Sequence, residues 1–100
     1  MHSQVLNVAK VFEVSKAVPA RSRSKVFLKL SEEVGELALE VAVAQDETYK
    51  KGGSDGIVGE AIDVIICAMD LIYVDNPKIE AEVLVNILQK KLQKWIEKEK

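Results

Sequence analysis

The sequence predicts an all-α protein of four helices. Apolar residues recur at three- and four-residue spacings in four separate stretches, and no stretch pairs period-two alternation with a hairpin turn. Turn-forming residues (Pro19, the loop from Gly52 to Gly56, and Pro77) separate the stretches. With 100 residues, 48% of them hydrophobic and 30% charged, the chain has the size of one domain, spanning 1–100, and a composition suited to a packed core rather than to disorder.

The first helix is expected over Ser3–Ala17, with Ser3 as N-cap and Val5, Val8 and Phe12 on one side. Pro19 ends it, and Ala20–Ser24 forms a short basic loop carrying Arg21 and Arg23. The second, Ser24–Gln45, has the clearest pattern: Phe27, Leu30, Val34, Leu37, Val41 and Ala44 alternate by three and four, the spacing of a packed stripe. A polar loop, Asp46–Gly56, leads to the third helix, Val58–Val74, which is apolar on every side apart from its acids. Its β-branched residues would suit a strand, but its length exceeds a usual strand. Asp75-Asn76-Pro77 breaks the chain, and the last helix runs from Lys78 onward with a Lys-rich end. A third helix without a solvent face predicts that the protomer assembles into a homo-oligomer that buries it against a second copy.

Charge narrows the function classes. The 14 Lys+Arg and 16 Asp+Glu nearly cancel, for a net charge of -2, which provides no electrostatic footprint for a nucleic acid polymer or an anionic membrane. The longest apolar stretch is interrupted by Glu60, Asp63 and Asp70, so no bilayer span is expected. Met1–Lys10 mixes polar with apolar residues, unlike a signal peptide, and a single Cys67 fits a cytoplasmic, reducing setting.

The acids are placed unusually. Glu33, Glu36 and Glu40 share one face of the second helix, with Glu32 beside them, and Glu60, Asp63 and Asp70 emerge from the otherwise apolar third helix. Buried carboxylates require protonation, an ion pair or a metal. His2 is the sole histidine, so an oxygen-only ligand set is expected, suited to Mg²⁺ with Mn²⁺ as substitute. The competing reading is an acid-rich helix pair neutralised by Lys25, Lys29 and the C-terminal lysines.

The string Glu32-Glu33-Val34-Gly35-Glu36, followed after 23 residues by Glu60-Ala61-Ile62-Asp63, resembles the Glu-Glu-x-x-Glu … Glu-x-x-Asp signature of MazG-like nucleoside triphosphate pyrophosphohydrolases, of the all-α NTP pyrophosphatase superfamily. The resemblance extends over Lys25–Trp95. It implies Glu33, Glu36, Glu60 and Asp63 as Mg²⁺ ligands, Glu32 and Glu33 in catalysis, and Lys29, Asn86, Lys90, Lys91 and Lys94 as substrate-binding residues. The implied reaction hydrolyses a (d)NTP between the α and β phosphates to a monophosphate and pyrophosphate, in a homodimer or homotetramer. Two alternatives remain: a phosphoribosyl-ATP pyrophosphohydrolase-like enzyme, and a non-catalytic helical oligomerisation or binding protein. Asp70 is open between a base-orienting and an interface role, and Arg21 and Arg23 are weaker phosphate candidates than the lysines.

Overall fold

The computed structural model describes residues 7–99 and contains four helices among them: α1 (Val8–Ala17), α2 (Arg23–Ala44), α3 (Gly56–Asp75) and α4 (Ala81–Lys98). No strand occurs among the described residues, as the periodicity predicts. None of the described helices is long and apolar enough to cross a membrane. The expected N-cap Ser3 lies outside the described residues; α1 is capped by Asn7, whose side chain accepts the Lys10 amide at 2.9 Å.

Local chemistry sets the remaining boundaries. Ser22 caps α2 by accepting the Lys25 amide at 3.1 Å. At the other end, Asp46 turns into the left-handed region (φ 57). Its amide and that of Glu47 then donate to the carbonyls of Val43 and Ala42 at 3.1 and 2.8 Å, a Schellman closure. Gly56 opens α3 at φ 66, where a side chain would strain the backbone.

The helices do not close into a bundle within the chain. α2 packs along α3, α1 lies across α3, and α4 touches α1 alone. Val8, Phe12 and Met69 form the small core between α1 and α3, edged by Val11, Ile72, Tyr73, Ile79, Ala81 and Leu84. Beyond Leu84, α4 buries nothing.

The α2 stripe corrects the expectation drawn from its spacing. Phe27, Val34 and Val41 are 57%, 48% and 41% exposed, whereas Val26, Glu33 and Glu40, also seven residues apart, are the residues turned inward. Each α2 residue is set about 100° from the next, so burying the Val26–Glu33–Glu40 row rotates Phe27, Val34 and Val41 out of the α2–α3 contact, while Leu30 and Leu37 of the expected stripe stay half-buried. The surface reflects it: the chain exposes 7953 Å², against about 5,700 Å² for a compact monomer of this mass.

One polar cluster pins the α1–α2 loop to α3. Arg21 donates from Nη1 to Asp70 Oδ2 and from Nη2 to Oδ1 (3.0 Å), Ser15 Oγ donates to the same Oδ1, and the Arg21 Nε donates to the Pro19 carbonyl. The open role of Asp70 is thereby structural in the first instance. Burial opposes its charge, but the hydrogen bonds from Arg21 and Ser15 and the guanidinium charge outweigh that, holding the carboxyl below its ordinary range. A depressed folded-state pKa stabilises at pH above the unfolded value, and the benefit disappears as pH falls through the folded value. Asp70→Asn should therefore cost about 2 kcal/mol at neutral pH. Denaturant melts along a descending pH series should show the gap to wild type closing in acid; a gap independent of pH would contradict the assignment.

Candidate metal centre

The acids gather because α2 and α3 run antiparallel in contact. Carboxylate oxygens of Glu33, Glu36 and Glu60 lie within 4.8 Å of one another, and so do those of Asp55, Glu60 and Asp63. Glu60 belongs to both groups. Four acids taken from the two sequence strings are thus brought to one seam, with Glu60 as the link between the two helices' contributions. Asp55, on the loop entering α3, was not singled out by the sequence; its position five residues before Glu60 belongs to no helical register that would have marked it.

Burial makes this seam costly. The Glu33 side chain is only 9% exposed, and its nearest cation is Lys29, Nζ to Oε1 at 3.6 Å across one helical turn. Glu60 is half-buried, but its Oε1 is closed off from solvent without a hydrogen-bond partner. Desolvation raises the Glu60 carboxyl above its ordinary range, and the charges of Glu36, Asp63, Glu33 and Asp55 raise it further. Lys29 is pushed upward mainly by Glu33. Cys67, whose thiol is raised chiefly by burial and then by Glu33, adjoins the same seam. These residues could hold a hard divalent cation: every donor is an oxygen, and a buried unpartnered carboxylate oxygen already points into the seam.

Glu40 does not join them. Its carboxylate turns to the α2–α3 loop, where Oε2 accepts the Gly53 amide at 2.7 Å. A Cβ on Gly52 would stand 2.5 Å from Glu40 Oε1, so the loop passes over the carboxylate only because Gly52 has no side chain. The shared face read from the i, i+3, i+7 spacing is real, but the acid at its far end is consumed by the loop.

Glu32 is exposed and belongs to neither carboxylate group. It rims an adjacent cleft of about 350 Å³ whose other walls include Arg21, Lys25, Lys29 and Asp70. Of the basic residues expected at the site, Lys29 alone is brought to it. Asn86, Lys90, Lys91 and Lys94 lie on α4, which contacts neither α2 nor α3 among the described residues. Arg21 is committed to Asp70, and Arg23 pairs with Asp75 at 2.9 Å.

Compared with known proteins, the chain matches no family model, no curated protein and no solved structure.

The electrostatics alone generate a prediction. A raised carboxyl destabilises the fold at pH above its titration and ceases to do so as pH falls through it. In chelator, Glu60→Gln should melt above wild type at neutral pH, the advantage narrowing as the solution is acidified. Circular-dichroism melts check this, and a lower melting temperature for the variant would overturn it.

Proposed function

We propose that the α2–α3 seam holds Mg²⁺ and that the chain is a MazG-like nucleoside triphosphate pyrophosphohydrolase, acting as a homodimer or homotetramer. The observation that supports this most is the convergence of Glu33, Glu36 and Glu60 within 4.8 Å, with Asp63 joined through Glu60. Acids of the two sequence strings meet at one charge-unbalanced place, where Glu33 is buried, Glu60 and Asp63 are half-buried and Glu36 is exposed. Lysine neutralisation, the competing explanation, accounts for less of it: Lys29 reaches Glu33, while Glu60 Oε1 has no partner.

In this reading Glu33, Glu36, Glu60 and Asp63 hold the ion. Bound there, Mg²⁺ supplies neutralisation of triphosphate charge and Lewis-acid polarisation of the phosphoryl oxygens. In this reading Glu32, exposed on the rim of the neighbouring cleft, would orient water and accept its proton. Water adds across the α–β anhydride: one P–O bond forms, the bridging P–O bond breaks, and monophosphate and pyrophosphate leave. Lys29 keeps a positive charge beside Glu33, and Lys25 extends that charge along the neighbouring cleft toward an incoming polyphosphate.

Purified protein incubated with a panel of NTPs and dNTPs should release pyrophosphate in Mg²⁺ and none in chelator. Glu36→Gln and Asp63→Asn should each reduce the rate by about 10²-fold or more. Absence of pyrophosphate from every nucleotide, in Mg²⁺ and in Mn²⁺, would refute the activity.

A further inference from the structure

The segment that joins α2 to α3 does two things that helix packing does not require. At its near end it is tied to α2: Glu40, only 8% exposed, receives the Gly53 amide on Oε2 at 2.7 Å. At its far end it carries Asp55, the N-cap of α3. Aspartate is among the best residues for bonding the first amides of a helix, yet Asp55 makes no such side-chain bond. Its carboxylate instead joins those of Glu60 and Asp63, with oxygens within 4.8 Å of one another.

Two glycines permit this path. A Cβ on Gly52 would stand 2.5 Å from Glu40 Oε1 and 3.2 Å from both Cδ and Oε2. The whole carboxylate would then have to shift, and its bond to Gly53 with it. A Cβ on Gly59 would overlap the Cβ of Asp55 and stand 2.9 Å from its Cγ. The Asp55 Cβ is fixed to the backbone, so Asp55 keeps its place over the first turn of α3 because Gly59 is bare. Asp55 follows Gly53 by two residues, about 7 Å of extended chain at most. The anchored amide therefore bounds where the Asp55 carboxylate can go.

A third acid beside Glu60 and Asp63 raises the repulsion there. No salt bridge among the described residues reaches Asp55, Glu60 or Asp63. Glu60, common to both carboxylate groups, keeps Oε1 out of solvent without a partner. A forgone helix cap and an added like charge both weaken the fold without a cation, and both are favourable once a hard cation takes oxygens from the group.

From this we infer that Asp55 is a further oxygen ligand of the ion and that Glu40 is its positioning residue, acting through the Gly53 amide. The inference rests on the cation site proposed above. It adds a ligand from outside the two acid strings and makes the hold of the loop on α2, as well as the packing of the helices, a determinant of affinity.

Mn²⁺ binding to the full chain, read by electron paramagnetic resonance without nucleotide, tests it. Asp55→Asn should weaken binding about tenfold, and Glu40→Leu and Gly52→Ala, which reach Asp55 through the loop, should weaken it by a similar factor. Glu40→Gln keeps an acceptor for the Gly53 amide and should bind nearly as wild type does. In an Asp55→Asn background Glu40→Leu should weaken binding no further, whereas an independent contribution would add. Melts in chelator should register the lost loop bond of Glu40→Leu in both backgrounds, which separates a fold effect from the effect on the ion. Should Glu40→Leu fail to fold, Gly52→Ala carries the same comparison. A wild type that takes up no Mn²⁺ overturns the cation site and the inference together. Uptake that Asp55→Asn leaves unchanged, or that the loop variants weaken equally in both backgrounds, overturns the inference alone.

Discussion

Packing α2 against α3 turns Glu33 and Glu40 toward the helix contact, into a register usually held by leucine or valine, while Glu60 faces Glu33 from α3. A carboxylate in such a place must be compensated, and the molecule compensates each one differently. Glu40 is met by the Gly53 amide of the loop, admitted by the bare backbone of Gly52. Glu33 is met in part by Lys29. Glu60 keeps one oxygen without a partner. Compensation is therefore complete at the loop end of the hairpin and incomplete at its centre, and the incomplete part is where a cation is proposed.

The same constraint organises the rest of the protomer. With the acid row turned inward, Phe27, Val34 and Val41 of α2 rotate outward, and the chain presents more surface than its mass requires. α1 covers only the C-terminal half of α3, through Phe12 and Met69, and the Arg21–Asp70–Ser15 cluster fixes the loop that brings α1 there. The carboxylate seam and the exposed apolar row of α2 thus arise from one choice of register.

Much of this was legible in the sequence. The four helices follow from apolar periodicity and from Pro and Gly at the breaks; spacing marks Glu33, Glu36 and Glu40 on one helix and Glu60, Asp63 and Asp70 on the next, and the choice of Glu33, Glu36, Glu60 and Asp63 among them is what the resemblance implies. Which face of α2 points inward was not legible. A heptad stripe and an acid row are both regular, and only the partner helix decides between them. Asp55 was missed because loop geometry, rather than helical spacing, carries it to Glu60. Glu40 was placed on the right face, yet its engagement by the loop depends on a backbone amide that no residue pattern announces. The α4 residues Asn86, Lys90, Lys91 and Lys94 were tied to the site by resemblance, a relation that helical spacing within one chain does not contain.

The proposed chemistry requires that the α2–α3 carboxylates bind a divalent cation. Electron paramagnetic resonance of Mn²⁺ reads this directly, because the sharp signal of the hydrated ion diminishes when protein oxygens take its place. Titrating wild-type protein into Mn²⁺ should diminish that signal to a saturable end point, Mg²⁺ should restore it by competition, and Glu60→Gln should leave it close to that of free Mn²⁺. A signal that wild type leaves unchanged, or that Glu60→Gln diminishes equally well, would contradict a cation site at this seam.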